Sequence, residues 1–189
     1  LLLGGGPLEA LPTLVQALRL LYRDLPGVIG PQELARAFGQ AWSEGQWTER
    51  MAMRLYRLDA VCQPARRPET QLRPASEEDV PLLAGWIQGF REDAHLLDSE
   101  PVATVARRMV DLGRAYLLED EGEPVCAVSG ADRIPGHGHI GMVYTPPALR
   151  GRGYGSAATA DLSQRLLDGG ASACFLFTDL ANPTSNSIY

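Results

Sequence analysis

Several features that would settle a function at once are missing from this sequence. No apolar run reaches the ~20 residues that a membrane-spanning helix needs. No basic flank, apolar stretch and cleavage site combine at the N-terminus as a secretory leader would. Positive charge is short as well: 17 Lys and Arg stand against 23 Asp and Glu, for a net charge of −6 and a pI near 5.1. The mean field of such a chain repels a polyanion, which argues against duplex nucleic acid held by phosphate neutralisation. A small anion gripped locally by the main chain escapes that argument. Cysteine and histidine are sparse. Cys62, Cys126 and Cys174 are odd in number, widely spaced and set among apolar residues, the pattern of reduced core thiols in a cytoplasmic protein. His95, His137 and His139 lie far from them, and no metal-ligand spacing occurs. Gly-x-x-x-x-Gly-Lys-Ser/Thr is absent too, and no acidic residue follows a strand in the dinucleotide pattern, which sets aside a nucleotide-binding protein.

Glycine, by contrast, is used with purpose. The run Arg150-Gly151-Arg152-Gly153-Tyr154-Gly155-Ser156 follows an apolar, β-branched segment and opens a helical stretch. Without Cβ atoms, Gly151, Gly153 and Gly155 can take positive φ and let backbone N–H groups approach a ligand. The first turn of the helix adds unpaired donors and a partial positive charge. The result is a strand-loop-helix corner suited to a phosphate.

With 189 residues, 45% of them apolar, the chain can fill one domain and a smaller companion. Leu1-Leu2-Leu3 looks like a strand end, and Leu8, Leu11, Leu14, Val15, Leu18 and Leu21 recur at helical spacing. Leu25–Gly30 is a short strand candidate. Pro31 suits a first helical residue before the face Leu34, Ala35, Phe38 and Trp42. Residues 51–61 alternate as a strand would. Prolines and charge then break the periodicity, so a boundary is expected here, with 1–62 as an N-terminal unit, 63–71 as a linker and 72–189 as the main domain. Ser76-Glu77-Glu78-Asp79 is an acidic capping sequence before a helix carrying Leu82, Leu83, Trp86, Ile87 and Phe90. A second helix runs from Val102 and ends at Gly113. Two apolar strands flank the acidic turn at residues 119–123, with Gly122 at its tip, and a third strand, His139–Thr145, leads into the glycine corner. A helix ending at Gly169-Gly170 and a strand at Ala173–Phe177 follow.

Taken alone, Arg150-x-x-Gly153-x-Gly155 is a short match. Its neighbours make it specific: Val143-Tyr144-Thr145-Pro146-Pro147 before it, then helix, strand and Asn182-x-x-x-Asn186-x-Ile188-Tyr189. Across Leu72–Tyr189 the chain resembles the GNAT superfamily of acyl-CoA-dependent acetyltransferases. That resemblance implies an α/β (α+β) fold with a mixed, mostly antiparallel central sheet flanked by helices, beside a smaller N-terminal α/β unit. It also implies that the amides of Gly151, Arg152, Gly153, Tyr154, Gly155 and Ser156 bind the CoA pyrophosphate. The strand Val143, Tyr144 and Thr145 is implied to splay from its neighbour and offer main-chain groups to the pantetheine arm. Arg150 and Arg152 would add charge to the phosphates or stay solvated.

Asn182, followed by Pro183, is a good helix N-cap on physical grounds, and the resemblance additionally places it beside pantetheine, with Asn186 a weaker candidate. Tyr189 matches the family tyrosine that protonates the leaving thiolate, and the alternative is a packed helix tyrosine. A phenol of ordinary pKa ~10 is protonated at neutral pH and can serve. His139 stands where many relatives carry a glutamate and is the candidate general base, its ordinary pKa of ~6.5 suiting the task. His137, Asp132 and Asp179 are weaker alternatives.

The first seventy residues read either as a partial second copy of the fold without a phosphate loop or as a helical extension. The family's closing strands would follow Tyr189. The reading is an N-acetyltransferase that moves an acetyl or short acyl group from acetyl-CoA to a primary amine. Its acceptor would be a small molecule or a peptide, with no nucleic acid, metal or membrane involved and a homodimer as one option. The rival is a noncatalytic acyl-CoA sensor or interaction module.

Overall fold

The computed structural model describes residues 1–64, 67–96 and 100–188, without the side chains of 132–134 and 187. The chain forms two compact units, Leu1–Ala52 and Met53–Tyr189. The first holds helices α1 (Leu11–Leu21) and α2 (Gln32–Ser43), whose periodic faces bury Leu11, Val15, Leu34 and Phe38. Phe38 stacks on Trp42 at 5.7 Å. Arg19 ties the helices together by donating to the carbonyls of Ala41 and Trp42 at 3.1 and 2.9 Å. The two strands expected here reduce to one parallel bridge, Leu2 to Ile29. Pro31 is the N-cap rather than the first helical residue of α2, its ψ of 135° still extended.

The second unit is a six-stranded sheet in the order β1-β6-β5-β4-β3-β2. Its strands are β1 (Met53–Leu58), β2 (Gln71–Pro74), β3 (Ala115–Asp120), β4 (Glu123–Ile134), β5 (His137–Tyr144) and β6 (Ala173–Asp179). All neighbours are antiparallel except β5 and β6. Helices α3 (Val80–Asp93) and α4 (Val102–Asp111) separate β2 from β3, α5 (Tyr154–Asp168) separates β5 from β6, and α6 (Pro183–Ile188) follows β6.

Strand alternation sends side chains to two cores. Leu118, Cys126, Val128, Ile140, Cys174 and Leu176 meet Ala157, Ala158 and Leu162 of α5. Their sequence neighbours Leu117 and Ala127 meet Leu83 and Ile87 of α3 and Ala106 of α4. Helices therefore cover both faces of the sheet, as the resemblance implied. The β3–β4 turn is the expected acidic one, with Glu121 and Gly122 at φ 51° and 86°. Two consecutive left-handed residues give a turn whose twist matches that of the strands.

The unit boundary differs from the expected one. Strand β1 pairs antiparallel with β6 in six register positions from Met53↔Asp179 to Leu58↔Cys174. It thus belongs to the sheet rather than to the helices before it, and the break falls after Ala52, not at residue 62. Cys62 is exposed rather than buried, whereas Cys126 and Cys174 are the core thiols expected.

Candidate active site

The glycine corner takes its shape from the end of β5. Parallel pairing with β6 runs only from His137↔Ala173 to Ile140↔Leu176, although both strands continue, so the two part beyond Ile140. Against β4, the pair Val128↔Val143 is followed by Gly130↔Ile140, which leaves Gly141 and Met142 opposite the single residue Ser129. This β-bulge resets the alternation. Ile140 and Val143, three apart, both pack in the α5 core, while Met142 packs on the α3–α4 side.

Beyond Pro146 and Pro147 the chain turns into α5 through Gly151 at φ 78° and Gly153 at φ 88°, left-handed values that favour glycine. Gly153 is the N-cap of α5 and supplies no side chain. The first main-chain amide to reach a carbonyl is that of Ala157, 3.0 Å from the Gly153 oxygen. Among the described residues, the amides of 151–156 donate to no backbone carbonyl. Six consecutive donors thus stand at the positive end of a fifteen-residue helix, an arrangement suited to an anion and called the nest below. A Cβ placed on Gly155 would stand 3.6 Å from Ile188 Cδ1, 3.8 Å from Val143 Cγ1 and 3.9 Å from Thr145 Oγ1. The end of β5, the first turn of α5 and the end of α6 therefore converge.

Arg150 turns back on its own loop: Nε donates to the Thr145 carbonyl at 2.9 Å, the guanidinium pairs with Asp93 on α3, and it lies 5.8 Å from the Tyr144 ring centroid. Arg152 is exposed at the lip of the nest. Tyr154 is buried beneath it, with its hydroxyl donating to Asp120, and Ser156 is half-buried in the first turn. Asn182 acts as the N-cap of α6, its Oδ1 accepting from the Ser185 amide at 3.0 Å. Asn186 braces the same turn by donating to the carbonyls of Asp179, Leu180 and Asn182 at 2.9, 3.3 and 2.8 Å. Tyr189 lies outside the described residues, and so does the side chain of Asp132.

On β5, His139 is half-buried between Ala131 and Phe175 in the ladder, on the face opposite Ile140 and so away from α5. His137 is occupied structurally, its Nδ1 2.9 Å from Ser172 Oγ and its ring edge-on to Phe175 at 5.5 Å. Asp179 shapes the turn after β6 by accepting from the Ala181 amide at 2.9 Å. Cys126 lies behind the site, and burial pushes its thiol up to about 11, with the Thr145 hydroxyl and the Tyr144 main chain acting in the opposite direction. It is therefore protonated and inert at neutral pH. The contacts that sequence reading missed, Arg150 with Asp93 and Tyr154 with Asp120, join residues 57 and 34 apart. No local pattern announces a pairing at that range.

A model of the acetyltransferase (GNAT) family matches residues 80–189, more than half of the chain. The chain belongs to the GNAT family. Solved structures agree at the level of fold. A GNAT-family acetyltransferase from Novosphingobium aromaticivorans DSM 12444 superposes with a TM-score of 0.54 at 19% identity, covering 74% of this chain and 57% of that one. A ribosomal-protein-alanine N-acetyltransferase from Brucella melitensis biovar Abortus 2308 gives a TM-score of 0.54 at 15% identity, over 64% of this chain and 87% of that one. An aminoglycoside N-acetyltransferase in complex with CoA gives 0.53 at 11% identity, over 66% and 87%. The chain thus spans somewhat more than half the length of the Novosphingobium protein. A sequence comparison with curated proteins returns no match. The GNAT match opens at the first residue of α3, so β1, β2 and the unit Leu1–Ala52 precede it. No helix among the described residues is long and apolar enough to cross a membrane.

Proposed function

We propose that this GNAT protein transfers an acetyl or other short acyl group from acyl-CoA to a primary amine by direct attack in a ternary complex. The observation that carries the reading is the nest. Six uncommitted amides with Gly151 and Gly153 at positive φ stand where β5 parts from β6. The nest suits a diphosphate, and the parted edge of β5 suits an amide-bearing arm that pairs as an added strand. Part of that edge is already used, because the Thr145 carbonyl accepts from Arg150. Asn182, with its oxygen spent on the cap, would reach the arm only through its remaining amide.

In the reaction the amine nitrogen bonds to the acyl carbon, the carbon–sulfur bond breaks, and the sulfur takes a proton while the amine gives one up. Tyr189 would supply the first proton, since Ile188 beside it already approaches Gly155 at the nest. His139, on the face away from α5 and before the bulge, would accept the second, directly or through water. The acceptor would be a small-molecule or peptide amine. A reducing, cytoplasmic setting suits the unpaired and exposed Cys62.

Thiol release from acetyl-CoA over a panel of primary amines tests the proposal. All 17 basic side chains are arginine, so no side-chain amine of the enzyme can compete with the added acceptor. Gly153→Val should abolish CoA binding. Tyr189→Phe should lower kcat by roughly ten- to a hundred-fold with CoA affinity kept. Tight CoA binding without turnover across the panel would instead favour a noncatalytic sensor, and retained affinity in Gly153→Val would remove the nest from the account.

A further inference from the structure

Tyr154 occupies two places at once. Its main chain is part of the nest, immediately after Gly153, and it is the first residue of α5. Its side chain is 5% exposed and sits in the core with Leu118, Val125 and Cys126. Phenylalanine would fill that space equally well, so the hydroxyl calls for a separate reason. The ring is buried while the hydroxyl reaches a half-buried position, where it donates to the carboxylate of Asp120, the last residue of β3 and 34 positions away. Donation to that carboxylate raises the Tyr154 phenol above its ordinary value, with burial adding to the rise and the Arg152 guanidinium opposing it. The phenol therefore stays protonated and remains a donor throughout the physiological range. Hydrogen bonds to a charged acceptor are among the stronger ones, and this one reaches from the first turn of α5 to the rim of the β3–β4 hairpin.

We propose that Tyr154 and Asp120 are a positioning pair for the coenzyme: their bond fixes the direction in which the amides of Gly151–Ser156 point, and so governs affinity for the CoA diphosphate rather than the chemical step. The proposal rests on the nest as the CoA site. Geometry and charge make opposite predictions for Asp120. As an anion near the nest it repels a diphosphate, so a purely electrostatic role would make its removal tighten binding. As an anchor its removal loosens binding.

The test is calorimetric titration of the full chain with CoA, alongside steady-state kinetics with acetyl-CoA. Tyr154→Phe and Asp120→Ala should each raise Kd and KM for the coenzyme about tenfold, the loss of one charge-assisted bond, with kcat within about twofold of wild type. The double variant should be no weaker than Tyr154→Phe, which removes the Asp120 bond together with the phenol's hydrogen bond to Arg152. Asp120→Asn, which keeps an oxygen acceptor and drops the charge, should lie closer to wild type than Asp120→Ala. Losses that add, a lowered Tm with Kd unchanged, or tighter binding in both Asp120 variants would overturn the pair. A wild-type protein that binds no CoA would instead sink the nest reading. In that event the amide resonances of Gly151, Gly153 and Gly155 in unliganded Tyr154→Phe still decide the anchoring, since unshifted resonances mean the hydroxyl orients nothing.

Discussion

Arg150 could serve a phosphate or its own protein, and in this structure the protein has taken it through Asp93 and the Thr145 carbonyl. The sequence showed an arginine at the right place in the loop but had no means of showing Asp93, 57 residues away. The cysteines make the same point about single residues. All three lie in apolar stretches, yet Val61-Cys62 lies beyond the end of β1 at Leu58 and runs into Gln63-Pro64, so Cys62 is exposed while Cys126 and Cys174 are buried. Apolar neighbours report burial only where an element is packed on both sides. Titration with a thiol reagent at pH 8 should find one reactive group in the native protein and three in denaturant. The Cys126 thiol, held at about 11 by burial, presents thiolate on the order of a thousandth of the time at that pH. Two fast groups in the native state would mean that the α5 core is open.

At the scale of elements, the lead into α3, a 3-10 turn at Glu77–Asp79, was readable because capping is local. Ser76 and Asp79 form the expected box, with the Ser76 amide and hydroxyl donating to Asp79 Oδ2 at 2.7 and 2.9 Å. Asp79 also has a partner outside its own turn. Arg73 on β2 donates to both its oxygens at 2.7 and 2.9 Å and to Glu119 on β3 at 2.6 Å, so one guanidinium joins two strands and a helix start. That bond, opposed by burial and aided by Ser76, holds the Asp79 carboxyl at about 2, down from 3.8. A depressed folded-state value means stability that is fully present above the unfolded value near 3.8 and lost as pH falls through about 2. Arg73→Leu should therefore cost ~1–2 kcal/mol in urea unfolding at pH 6, toward the lower part of the range for charged hydrogen bonds because the site is partly open to solvent. The difference from wild type should shrink steadily between pH 4 and pH 2. A difference that does not change over that interval would detach Arg73 from the titration of Asp79.

For the molecule as a whole, the parts legible in the sequence were those whose partners lie nearby in the chain: the β3–β4 hairpin, the caps, and the corner from β5 into α5. What stayed hidden was the partner of β1, because alternation identifies a strand and says nothing of which edge it joins. A truncation placed at the proline-rich break would start at residue 63 and discard β1. The structure gives that cut a definite consequence. Met53 and Leu55 are 50% and 53% exposed, so the strand adds modest apolar burial, mainly through Tyr56 and Leu58 against the α5 core. Its larger effect is to cover the outer edge of β6 at six paired positions. Uncovered, β6 would present a row of free N–H and C=O groups beside Phe175 and Phe177, an edge open to pairing with another chain. Residues 53–189 should consequently unfold in one cooperative transition and remain monodisperse, whereas residues 63–189 should melt several degrees lower and form concentration-dependent aggregates in light scattering. Equal melting temperatures and equal dispersity for the two would show that the pairing of β1 with β6 contributes nothing to the sheet, and the unit boundary would then return to the proline-rich segment.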